Sequence, residues 1–153
     1  MKKNFIVAIA LTAIIACNKD KFQTKPQVKV KDYNSKEIAL NAPLVITLEV
    51  TDKEGDVDDS IFVIRQRLNI KNTVPPTTYK FDVPAFPDKT TAEFQISFPF
   101  ATSLVAGLGR IQIPNTDPRK YETDTMVFKF VVKDKAGNVS DTATSDKIYV
   151  KRD

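Results

Sequence analysis

The sequence predicts an all-β protein, a two-sheet antiparallel sandwich of seven or eight short strands carried behind a removable leader. Three observations lead there. Apolar residues alternate with polar ones in run after run, as with Leu44, Ile46, Leu48 and Val50 in LVITLEVT, and a period of two puts them on one face of a strand. Beyond residue 16 no stretch shows helical spacing, and the longest apolar piece outside the strand pattern, 103–108, is enough for one helical turn. Prolines at 43, 75, 76, 84, 87, 99, 114 and 118 fall between the apolar runs, where a missing N–H costs no ladder bond. Strands with one apolar face each must bury those faces against one another, because a single sheet would leave its apolar face wet.

The chain opens with Met1-Lys2-Lys3-Asn4, a short basic segment, followed by the apolar stretch 5–15, interrupted only by Thr12. At 11 residues this stretch is too short to cross a hydrocarbon core, which takes about 20 residues in a helix. It is the pattern of an export signal that is cleaved off. The signal ends in Ile14-Ile15-Ala16-Cys17, and Cys17 is the only cysteine in the chain. A lone cysteine in an exported protein has no internal disulfide partner and needs another explanation. These four residues resemble the bacterial lipobox. The resemblance implies recognition of Ile14, Ile15 and Ala16 by lipoprotein signal peptidase, cleavage before Cys17, a diacylglycerol thioether on its sulfur and acylation of the new amine.

Three regions follow: a signal peptide at 1–16, an acylated cysteine with a polar tether at 17–27, and a folded domain at 28–153. The tether carries Lys19, Lys21 and Lys25 and reads as a flexible spacer. In the domain, Val28 and Val30 alternate with lysines, Ile38 and Leu40 follow, and then comes the Leu44 to Val50 face. Further strands are expected at 61–69, 78–83, 92–98, 126–133 and 147–151. Their same-parity apolar sets are Phe62, Ile64 and Leu68; Phe94, Ile96 and Phe98; Phe128, Phe130 and Val132; and Ile148 with Val150.

This order of short strands resembles immunoglobulin-like and fibronectin-type modules, although the Cys, Trp and Cys of true immunoglobulin domains are absent. The end of the chain adds to the resemblance. Strand 128–133, the turn Asp134-Lys135-Ala136-Gly137-Asn138 and a last strand look like the closing hairpin of bacterial immunoglobulin-like surface domains. Gly137 and Asn138 tolerate the positive φ that such a turn uses.

Residues 52–59 (DKEGDVDD) put five carboxylates in eight positions between two strands. Like charges this dense repel unless solvent or a cation screens them. Two readings stand. Asp and Gly are good turn formers, and the loop is then simply exposed and solvated. Alternatively the cluster binds calcium, which takes six to eight oxygens. It is not an EF-hand, because Gly55 is fourth in the loop rather than sixth and Val63 stands where the closing glutamate belongs. In an immunoglobulin-like fold this loop and the 134–138 turn share one end of the sandwich. Asp134 and Asn138 would then complete a shell begun by Asp52, Glu54, Asp56 and Asp58.

Removing the leader leaves 21 basic against 19 acidic residues, a balance of +2. The two signs are interleaved without a basic stripe, so no nucleic-acid partner is expected. With no histidine and no second cysteine, the commonest general base, zinc ligands and thiol nucleophile are all missing. Paired carboxylates could serve a glycosidase, but these lie on one contiguous polar loop, and tryptophan, the usual sugar-stacking residue, does not occur. No catalytic residue is assigned.

What remains is a binding or structural module. Candidate surfaces are Tyr79, Phe81 and Phe86, among three prolines, and the long segment 99–124 with Phe100 and Tyr121. Long loops are often functional, but the apolar residues of 99–124 could equally pack under the sandwich, with an extra strand at 110–114. Lipobox, tether and small sandwich together resemble the outer-membrane lipoproteins of the Bacteroidota. The resemblance implies a lipid-anchored envelope role, periplasmic or surface-facing, with an envelope protein as partner. The alternative is a carbohydrate-binding accessory of a glycan-uptake system, with glycan as partner.

Overall fold

The computed structural model describes residues 25–57, 59–83 and 89–153, and shows the all-β sandwich. Cys17 with Ile14, Ile15 and Ala16, together with Asp58 and Phe86, lie outside the described residues. The strands are β1 (Gln27–Tyr33), β2 (Glu37–Ile38), β3 (Leu44–Thr51), β4 (Ser60–Arg67), β5 (Thr77–Asp82), β6 (Thr91–Phe98), β7 (Asp124–Lys133), β8 (Ala143–Thr144) and β9 (Ile148–Val150). One sheet runs β1-β3-β6 and the other β2-β9-β7-β4-β5, with β8 also on β7. Strands β1, β3 and β6 thus lie apart from β4, β5, β7 and β9, which makes two facing layers. The pairing is antiparallel except at one edge, where Ile38 on β2 runs parallel to Val150 on β9.

Alternation decides the interior of most strands. Leu44, Ile46, Leu48 and Val50 of β3 are fully buried, and so are Met126, Phe128, Phe130 and Val132 of β7. The two sheets meet where the rings of Phe98 (β6) and Phe128 (β7) lie 4.7 Å apart, with Tyr79 and Phe81 of β5 set edge-on to Phe98. Such tilted and edge-on contacts suit the charge distribution of aromatic rings.

Strand β4 corrects the sequence expectation. The set Phe62, Ile64 and Leu68 does not form its core face. Ile61, Val63, Arg65 and Arg67 point inward, while Phe62 and Ile64 are half-buried and Leu68 is exposed. Both parities of this strand carry bulky apolar groups, so hydrophobicity alone does not choose between them. What makes the arginine face the buried one is a set of waiting acceptors. Arg65 donates to the carbonyls of Ser103, Leu104 (2.9 Å) and Ala106 (2.9 Å), and Arg67 donates to Asp124.

Those carbonyls belong to the segment after β6. It opens in a single π-helical turn, Phe100–Leu104, closed by the bond from Val105 N to Phe100 O (3.0 Å), within which Leu104 is completely buried. Leu108 and Ile111 are buried too, and Gln112 forms an isolated bridge with Tyr121. The first part of this segment, 100–111, therefore sends apolar residues inward, while 112–120 is mostly exposed.

Candidate metal centre

Asp52 immediately follows β3, and Asp134 immediately follows β7, so the chain carries both carboxylates off the same end of the two sheets. The β3–β4 loop then folds back. Gly55 N donates to Asp52 Oδ2 (2.9 Å), and Lys135 N donates to the carbonyl of Asp56 (3.2 Å), which draws Asp56 toward the turn after β7. Gly55 has φ +78°, a conformation that L side chains rarely adopt. The loop is further held by Lys89 N donating to the Gly55 carbonyl (3.2 Å).

The turn is built around Asp134. Its Oδ1 accepts from Asn138 N (2.7 Å) and its Oδ2 from Asn138 Nδ2 (2.9 Å), while Gly137, at φ +91°, donates its N–H to the Asp134 carbonyl (3.2 Å). Gly137 uses the positive φ expected from the sequence; Asn138 is not among the positive-φ residues.

These local bonds bring Asp52, Asp56 and Asp134 together, with one carboxylate oxygen from each lying within 4.8 Å of the others. Asp52 and Asp134 are buried and Asp56 is half-buried. Loss of solvent, then the charge of Asp134 and the approach of Asp52, raise the Asp56 carboxyl above its ordinary value. Two oxygens of the cluster, Asp52 Oδ1 and Asp56 Oδ1, are buried without a hydrogen-bond partner. The donor set is anionic and all oxygen, which matches a hard divalent cation and not a soft one.

Of the other acidic-loop residues named from the sequence, Glu54 is exposed and outside this trio. Asn138 holds Asp134 in place. Asp59, on the same loop, sits 3.3 Å from Lys133. The aromatic candidates are engaged in packing. Tyr79 packs on Phe81 and Phe98 and donates its hydroxyl to Ser103 O (2.9 Å), and Phe100 lies partly buried against the core. Tyr121 lies beneath the guanidinium of Arg110, 5.0 Å from its ring centre.

A second charged group lies where the sequence pattern singles out no site. At the opposite end of the sandwich Asp124 meets Arg67 and Arg152, all three buried. An Asp opening an apolar strand and an Arg alternating with buried residues were the available signals.

No family model and no curated protein matches the chain. Among solved structures it is similar to a β-glucosidase from Kluyveromyces marxianus, at 15% identity and TM-score 0.39 over 84% of this chain and 15% of that one. It is also similar to a putative late embryogenesis abundant protein, at 12% identity and TM-score 0.43 over 82% of this chain and 71% of that one. A β-glucosidase from Listeria innocua is matched at 15% identity and TM-score 0.37 over 83% and 16%. The chain thus spans about 15% of the length of the β-glucosidases, and likeness at this level carries no functional argument.

Proposed function

We propose that the protein is a lipid-anchored, non-catalytic binding or structural module of a bacterial envelope, held at the outer membrane through Cys17. The observation that carries this is the position of the chain's only cysteine, directly after Ile14-Ile15-Ala16 and a short polar tether ahead of β1 at Gln27. The sulfur accepts the lipid, which is why a thiol is required there. Burying several acyl chains, at about 0.8 kcal/mol per methylene, gives an attachment that one chain does not sustain. Among the described residues no helix is long and apolar enough to cross a membrane, so a helical span there does not compete with the lipid as the means of attachment.

The packing favours a structural or protein-binding role over glycan binding. Stacking on a sugar requires exposed aromatic faces, and Tyr79 and Phe81 are half-buried in the aromatic cluster around Phe98. The test is labelling with an alkyne fatty acid, followed by fractionation of cells making wild type and Cys17→Ser. Wild type should take up label and sediment with membranes, and the variant should lose both. Tight membrane association of the unlabelled variant overturns the reading. Crosslinking of the acylated protein in cells then identifies its envelope partner.

A further inference from the structure

We propose that Asp52, Asp56 and Asp134 bind a calcium ion that ties the β3–β4 loop to the turn after β7. This goes beyond the anchor and does not depend on it.

The three acids do not stand alone. The stronger observation is Asp52, whose side chain is wholly removed from solvent while its Oδ1 has no hydrogen-bond partner. A polar oxygen stripped of water and given no donor is among the costlier arrangements in a protein interior. Nor does the loop lack donors. Gly55 N is spent on the other Asp52 oxygen and Lys135 N on the Asp56 carbonyl, while Asn138 N and Nδ2 donate to Asp134. These bonds fix the carboxylates and their backbone, and leave Asp52 Oδ1 and Asp56 Oδ1 buried without a donor. Lys133, on the neighbouring strand end, pairs with Asp59.

Spacing and chemistry name the occupant. Calcium holds oxygens at about 2.4 Å, so two of its ligands can stand at most about 4.8 Å apart. The three oxygens fall within that span. Three carboxylates leave room for the carbonyls and waters that complete a shell of six to eight. Magnesium, which demands a tighter octahedron and releases water reluctantly, suits buried convergent carboxylates less well. The ion would join residues far apart in sequence, and at the end of the sandwich that receives the tether, since Gln27 pairs with Thr51 next to Asp52.

The competing way to relieve the cluster is a proton shared among the carboxylates, and the experiment separates the two. The full chain, purified in detergent and stripped with EGTA, is melted in EGTA, in calcium chloride and in magnesium chloride. Calcium at a hundredfold its dissociation constant should raise Tm by roughly 5–10 °C, with magnesium giving less. Asp52→Asn should abolish the calcium response while melting in EGTA no lower than wild type, because the substitution removes repulsion. Glu54→Gln, on the same loop but exposed and outside the trio, should respond as wild type does. Identical wild-type melts in calcium and EGTA overturn the proposal. A magnesium response equal to calcium's overturns the assignment of the ion, and loss of response in Glu54→Gln overturns the assignment of the ligands. If Asp52→Asn fails to fold, Asp56→Asn, at a half-buried position, is read by the same criteria.

Discussion

Arg67 donates to Asp124 from inside the sandwich, with 1% of one side chain and 0% of the other exposed. The same carboxylate has Arg152 Nη1 at 3.2 Å from its second oxygen. Each guanidinium also reaches the long segment after β6: Arg67 donates to Gly109 O (3.1 Å) and Arg152 to Leu108 O (2.8 Å). One buried acid thus holds a strand, the C-terminal residues and a loop together. Buried pairs gain little net over apolar packing, but breaking one strands a charge. Asp124→Ala should cost about 3–5 kcal/mol in urea unfolding. A loss below about 1 kcal/mol would mean that the arginines regain water without it.

Arg65 acts on the neighbouring turn. Its guanidinium fans across the carbonyls of Ser103, Leu104 and Ala106, and it also donates to Thr77 Oγ1 (3.0 Å). A lysine offers a point charge rather than a planar fork and cannot serve all four. Arg65→Lys should destabilise by about 1–3 kcal/mol. Amide exchange should accelerate first in residues 100–106, and uniform acceleration across the domain would contradict this local role.

Phe128 stands at the joint between the sheets, fully buried and 4.7 Å from Phe98. Phe128→Ala should cost about 3–5 kcal/mol through lost burial and the cavity left behind. Phe128→Leu should recover more than half of that loss, and the comparison is read in the shift of the denaturation midpoint.

Two glycines with similar backbones make a controlled comparison. Gly55 and Gly107 have φ of +78° and +69°, but a Cβ on Gly55 would meet Lys89 N at 2.9 Å, whereas one on Gly107 would meet nothing within 4 Å. Gly107→Ala should lose only the conformational term, about 1 kcal/mol. Gly55→Ala adds a backbone collision and should lose roughly 2–3 kcal/mol. Equal losses would show that the β3–β4 loop moves freely away from Lys89.

Strands β3 and β7 were legible because their alternation is clean and one-sided. Strand β4 was not. Phe62 and Ile64 compete with Ile61 and Val63, and the contest is settled by Asp124 and the 103–106 carbonyls, which lie far along the chain from both. Segment 99–124 reads equally as surface or as packing from its sequence, for a similar reason. Apolar residues in an irregular stretch have no period to declare a face, and only contact with the sandwich shows that Leu104, Leu108 and Ile111 point inward. The acidic loop was half legible. Its density of charge suggested a cation, but Glu54 and Asp56 look alike in sequence, and it is the fold-back at Gly55 that brings in Asp56 and leaves Glu54 in solvent.

By itself the sequence determined the all-β class, the interior face of most strands and the turns between them. These rest on periodicity and backbone restriction, which act within a few residues. Only the tertiary structure decided that two arginines face the core and that Asp134 closes on Asp52 and Asp56. A buried charge is tolerable only beside its partner, and here the partners arrive from segments distant in sequence.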